Sequence, residues 1–236
     1  MPRPINVILL AVLMVGLAGC PTPPQTRTAE PAGPAARAEQ PPTGAVVLPI
    51  DLQRSSVAIE VFRSGPLASM GHNHVVTAGE IAGRLWIHPQ LERSGYALEV
   101  PVAMLIVDDE AARRAAGDAF PPGLSQEAKA ATRSNMLGPA VLDADRYPVV
   151  RLRSVSVSGT PPQLATVAAI TVRGATHEVT VPVTLDPEAR PVAARGAFTL
   201  NQSDFGITPF SVALGALSVA DEVRVRFELV AGQPRE

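Results

Sequence analysis

Residues 222–229 alternate without a break, with Val223, Val225, Phe227 and Leu229 set against Glu222, Arg224, Arg226 and Glu228. A side-chain period of two puts the two sets on opposite faces of a strand, one suited to a core and one to water. The pattern recurs. In 55–62, Val57, Ile59 and Val61 oppose Ser56, Ala58 and Glu60; in 79–87, Ile81, Leu85 and Ile87 oppose Glu80, Arg84 and Trp86. Residues 96–104 carry Tyr96, Leu98, Val100, Val102 and Met104 on one side, and 176–185 carry His177, Val179, Val181, Val183 and Leu185. The stretches 149–158, 164–172 and 192–201 complete the set, the last with Phe198 and Leu200 on one face. Gly65-Pro66, Pro161-Pro162 and the tight Arg173-Gly174-Ala175 hairpin separate the ribbons. About eight strands at this spacing predict an all-β antiparallel barrel or sandwich. An eight-stranded barrel is wide enough inside to hold one small ligand.

The period changes once. Residues 108–119 are rich in Ala, Arg and Asp, and Ser125 can cap a helix running to about Leu137, where Gly138-Pro139 stops it. This is the one helical insertion expected. Pro101 cannot donate to a ladder, so the strand around it is expected at an edge or with a bulge. Residues 201–221 read as a long, mostly uncharged loop or short helix. A closed barrel has no free edge, and that fixes the inward parity of every strand. The expected cavity wall starts with Val57, Ile59, Val61, Ile81 and Leu85, followed by Leu98, Val100 and Val102. Val179, Val181, Val183, Phe198, Leu200, Val225 and Phe227 complete it.

The chain's first residues have another character. Arg3 precedes an apolar run over 7–16 and then Leu17-Ala18-Gly19-Cys20. This is the form of a secretory signal, residues 1–19. Its last four residues resemble the bacterial lipobox, which implies cleavage before Cys20 and a thioether-linked diacylglycerol on it. Two or three acyl chains anchor firmly where one binds marginally. Pro21, in place of Asp, points by that class's sorting rule to an outer membrane facing the periplasm. Cys20 is the only cysteine, so no disulfide forms within the chain. Residues 21–43 hold seven prolines and no aliphatic residue larger than Ala, so 20–45 are expected to be an extended Pro-rich tether. The remainder, 46–232, fits one domain. The net charge of −2 gives no footprint for nucleic acid.

Several segments, in this order, resemble the YceI-like, polyisoprenoid-binding family over residues 48–230. They are 50–61, the Gly71-His-Asn-His segment of one branch, 141–154, 170–183, Asn201-Gln-Ser-Asp-Phe-Gly-Ile, and Val219-Ala-Asp-Glu-Val-Arg-Val. The resemblance implies an extended eight-stranded antiparallel lipocalin-like barrel around a long apolar cavity. It further implies an isoprenoid or other long-chain lipid as partner, with no cofactor and no general catalytic motif. This chain departs from the family in having few aromatics, so its walls would be aliphatic.

His72 and His74 are the residues that could change this reading. Two apart in an extended segment, their rings point to one side, as a His-x-His metal pair requires. The alternative is therefore a metal-dependent enzyme using them with His177 or Glu80. The cupin form of such a site fails here: Glu80 follows His74 at the wrong spacing, and the second cupin motif is absent. In the binding-protein reading there is no metal, and His72, His74 and His177 order the barrel mouth or touch a ligand head group. A third reading is an envelope protein whose barrel binds another protein. It predicts an exposed apolar patch on 201–221.

Overall fold

The computed structural model describes residues 40–232. The signal 1–19, the Cys20 anchor and most of the 20–45 tether lie outside the described residues. Twelve strands make one antiparallel sheet. The first six are β1 (Val46–Pro49), β2 (Ser56–Ser64), β3 (His74–Ala78), β4 (Ala82–Ile87), β5 (Gly95–Pro101) and β6 (Leu105–Val107). The others are β7 (Val149–Thr160), β8 (Gln163–Val172), β9 (Ala175–Leu185), β10 (Val192–Asn201), β11 (Ser211–Val212) and β12 (Leu217–Ala231). Their order is β1-β4-β5-β7-β8-β9-β10-β12-β2-β3-β6, with β11 beside β12.

The expected eight-stranded closed ladder is thereby corrected to a curled sheet of twelve strands whose ladder ends at β1 and β6. Kinks account for most of the difference. A 3-10 turn over Leu52–Arg54 interrupts the run from β1 to β2. Between β3 and β4, a Cβ on Gly79 would lie 2.7 Å from the Met104 carbonyl oxygen, so only glycine fits this close crossing. Between β5 and β6, a 3-10 turn over Val102–Met104 follows Pro101, whose missing N–H ends the ladder. The edge or bulge expected at Pro101 is thus a strand end instead, and β5 lies between β4 and β7. At one end the curl is drawn together by Ile50 bridging Ala231. There Asp51 N–H donates to Val230 O at 2.8 Å, and Gly232 N–H donates to Pro49 O at 3.1 Å.

The helical insertion contains two helices. Asp109 caps α1 (Glu110–Ala116) by accepting from the Ala111 and Ala112 N–H groups, and Ser125 caps α2 (Gln126–Leu137) by accepting from Ala128 N–H. Side-chain oxygens here satisfy donors that a helix start leaves unpaired. Met136 and Leu137, at the end of α2, pack on Val76, Val102, Leu105 and Val107. A second cluster is built on Phe205, Ile207, Ile170 and Val181. Both border the interior hollow of the curl: Val181 of the second, and Val100 packed on the first, also line it. The outer face is less solvated than its charges suggest, because Glu60 is 3 % exposed and pairs with Arg226 at 2.5 Å.

Candidate functional site

Inside the curl is an apolar cavity of about 150 Å³. β12 supplies Val225, Phe227 and Leu229 to its wall, and its neighbours β10 and β2 supply Ala194, Phe198 and Val57. Register explains the placement of the rings: Phe198 lies opposite Val225, and Phe227 opposite Gly196. A Cβ on Gly196 would meet the Phe227 ring at 2.7 Å, so glycine makes room for that ring to lie across the sheet. β9 adds Val181, Val183 and Leu185, and β8 adds Leu164, Thr166 and Ala168. Tyr96, Leu98 and Val100 come from β5, Leu85 and Ile87 from β4, and Ile81 from the kink before β4.

Five expected wall residues lie elsewhere. Ile59 and Val102 pack with Val76, Leu105 and Val107, and Val102 sits in the 3-10 turn instead of a strand. Val179 and Leu200 pack around Phe205 and Ile207. Val61 pairs with His74, beyond the hollow part, and does not line the cavity. Four of the five thus belong to the clusters around Val102 and Phe205, which pack beside the cavity. Residues the alternation did not assign include Ile50, Leu91, Leu152, Val157 and the β8 trio. β8 is apolar on both faces, so its period of two carried no direction. In β7 a bulge between Ser154 and Ser156 shifts the register.

Three hydroxyl residues, Ser94, Tyr96 and Thr166, interrupt the aliphatic wall, and two of them pair. Burial pushes the Tyr96 phenol above its ordinary value, partly offset by its hydrogen bond with Thr166. Both groups meet the rule that a buried hydroxyl finds a partner.

None of the histidines expected to touch a head group lines the cavity. His72 is exposed, and His177, also exposed, meets the Phe205 ring edge-on at 5.3 Å. His74 is committed elsewhere. Its Nδ1 is 2.6 Å from Asp108 Oδ2, and the Asp108 side chain is fully buried. Asp108 Oδ1 accepts from Val75 N–H at 3.0 Å and from Arg113 Nη1 at 2.5 Å. Arg113, also fully buried, donates from Nη1 to Asn73 O at 2.8 Å and from Nη2 to Pro121 O at 2.7 Å. The Asn73 side chain accepts from Arg63 N–H and donates to Ala119 O. The Gly-His-Asn-His segment is therefore a clasp joining β2, β3 and α1. Among the described residues, no three His, Cys, Asp or Glu side chains gather so as to hold a metal ion.

Burial alone would raise the Asp108 carboxyl, but hydrogen bonds from His74, Val75 N–H and Arg113 outweigh it and hold the group below its ordinary value. A depressed carboxylate stabilises the fold above its unfolded value, near 3.9, and that stability is lost as pH falls through the folded value. Urea midpoints measured against pH are thus expected to fall steeply below about pH 4. Asp108→Asn is expected to flatten that slope.

The histidine nearest the cavity is His88, to which sequence reasoning gave no role. It follows Ile87 directly, is 7 % exposed, and its N–H donates to Ser94 Oγ at 2.9 Å. Ser94 belongs to the cavity wall. Outside lies a groove of about 330 Å³ bordered by Gly44, Val46, His88, Glu188 and Arg190, which shares Ile87 and Leu91 with the cavity.

The YceI-like domain model matches residues 50–231. Among solved structures, BcnA of Burkholderia cenocepacia is similar over 77% of this chain and 99% of its own, at 19% identity and a TM-score of 0.57. A mutant YceI protein of Campylobacter jejuni is similar over 68% of this chain and 85% of its own, at 9% identity and a TM-score of 0.50. Both likenesses concern the fold. No curated protein matches the chain. By the family match, which runs from just after β1 to the last residue of β12, this chain belongs to the YceI-like domain family.

Proposed function

We propose that this chain is a binding protein, not an enzyme, that holds the apolar tail of an isoprenoid or similar amphiphilic lipid inside the curled sheet. The lipobox at Cys20 and the tether after it support a lipid-anchored place in the periplasm, on the outer membrane. The observation that carries the reading is the cavity wall: aliphatic and aromatic side chains from nine strands or their flanking turns, with few polar atoms. Such a wall offers a hydrocarbon no hydrogen bonds and little selectivity, only removal from water. That removal is worth about 0.8 kcal/mol per CH₂. The family's association with hydrophobic ligands such as polyisoprenoids supports the same assignment.

Size refines it. A cavity of about 150 Å³ lined by Leu, Ile and Phe admits a ring the size of benzene, so the unfilled space here takes one or two isoprene units. Their burial barely offsets the cost of association, about 4–15 kcal/mol. A longer tail therefore needs the walls to part, and branched aliphatic side chains can do so by changing rotamer. Native mass spectrometry of protein taken from its host's membranes is expected to show one long-chain lipid per chain. Protein that is empty from every source, and whose thermal midpoint no lipid raises, would contradict the assignment.

The metal-enzyme alternative loses its support, because His74 is bound to Asp108 and stands in no cluster with His72, His177 or Glu80. One observation favours the protein-binding reading: Phe210, Val212 and Leu214 are exposed near the start of β12. An unaltered thermal midpoint with every lipid offered would argue for it.

A further inference from the structure

We propose that the groove outside Ile87 and Leu91 seats the ligand's polar head, with His88 donating its Nε2–H to an oxygen of that head. The inference rests on the tail-binding reading above and adds to it an orientation and a head-group class.

Three observations lead to it. The cavity wall is too poor in polar groups to solvate a head, so the head must lie outside it. Phe205, Ile207 and Met136 pack on one side of the cavity, and on another Ile87 and Leu91 pack on Leu48, Leu164 and Leu185, beside the groove. There Ile87 and Leu91, both half-buried, are all that the cavity and the groove share. Rotation of these two side chains would join the spaces, with the tail on the inner side and the head on the outer.

The His88 ring is set for this task. Its Nδ1 lies 2.9 Å from the Gln90 N–H, which can only donate, and 3.2 Å from the Gln90 carbonyl oxygen. The shorter bond makes Nδ1 the acceptor and puts the proton of the neutral ring on Nε2. Nε2 points toward Gly44, where an added Cβ would sit 3.7 Å away, and Gly44 borders the groove. Among the described residues, the groove's charged groups are one acid, Glu188, and one base, Arg190. Arg190 directs Nη1 to the Pro187 and Ala189 carbonyls of its own loop. This balance suits a neutral head with a carbonyl or hydroxyl oxygen, and Glu188 opposes a phosphate.

The test uses the full chain and reads affinity from displacement of a fluorescent anilinonaphthalene dye by farnesol, farnesyl phosphate and the hydrocarbon farnesene. His88→Phe keeps a planar ring and removes the Nε2–H donor together with the Nδ1 acceptor of Gln90 N–H. It is expected to weaken farnesol about tenfold, as loss of one buried hydrogen bond does, and to leave farnesene unchanged. His88→Gln, which restores a donor, is expected to recover most of the loss. Wild type is expected to prefer farnesol to the phosphate, and Glu188→Gln to narrow the gap. Equal weakening of farnesol and farnesene in His88→Phe, or no weakening of either, would overturn the head-group role. Tighter binding of the phosphate by wild type would overturn the neutral-head assignment. Failure of wild type to bind any of the three would instead remove the tail-binding reading beneath it.

Discussion

Asp108→Ala is expected to lower the free energy of unfolding by about 3–5 kcal/mol, the usual effect of deleting one partner of a buried ion pair. The carboxylate is fully buried, and each of its oxygens is engaged: Oδ2 by His74 and Oδ1 by Val75 N–H and Arg113. Removing it leaves the fully buried Arg113 guanidinium with carbonyl partners only. It also frees the start of β3, so the effect extends beyond one contact. Asp108 further adopts a left-handed backbone conformation, φ 56°, which Asn tolerates better than Ala. Asp108→Asn should therefore lose less than Asp108→Ala. Replacing Asp108 and Arg113 together with apolar residues should lose less than the sum of the single changes. Urea denaturation of wild type, both Asp108 variants, the Arg113 single variant and the double variant measures this, and an Asp108→Ala loss below about 1 kcal/mol, typical of an exposed pair, would show that the clasp contributes little.

Ala168→Leu is expected to weaken a prenyl ligand about fiftyfold while leaving the fold at least as stable. Ala168 is 1 % exposed on β8 and lines the cavity where the Phe205 and Ile207 cluster meets it. Three added carbons there occupy space the tail would use. At about 0.8 kcal/mol per displaced CH₂ the loss is roughly 2.4 kcal/mol, a factor near fifty. The sign of the stability change separates a hollow interior from a filled one. Overpacking a filled core costs about 1–3 kcal/mol, whereas growth into a void buries new apolar surface without strain. Dye displacement and thermal unfolding of one preparation give both quantities. A destabilised variant with unchanged affinity would mean that Ala168 faces packed side chains.

The alternation made strand direction legible where one face is charged. Val225 and Phe227 alternate with Arg224 and Arg226, and both line the cavity as their parity requires. It failed where both faces are apolar, as in β8, and where the backbone departs from regular pleating. Pro101 was visible as a break, but whether it made an edge, a bulge or a 3-10 turn depended on what Val102 packs against. The clasp was half legible. His72 and His74 stood out by residue type and spacing. Asp108 and Arg113, which hold His74, lie in a stretch marked only by its Ala, Arg and Asp content, since nothing local marks a charge that burial will pair with a residue 34 positions away. His88 carried no signal, because its importance comes from lying next to a cavity that exists only when the sheet curls. The extent of the cavity was equally hidden. Val179 and Leu200 obey the same period as Val181 and Phe198, and all four pack with Phe205 and Ile207, yet only Val181 and Phe198 also reach the cavity.

A crystal structure of the mature chain grown with farnesol would decide whether the interior is a lipid site. Continuous density for the hydrocarbon is expected between the sheet walls, against Val181, Phe198 and Phe227, with its hydroxyl end toward Ile87 and Leu91. An interior closed by the protein's own side chains, with farnesol outside the curl or absent, would contradict that role.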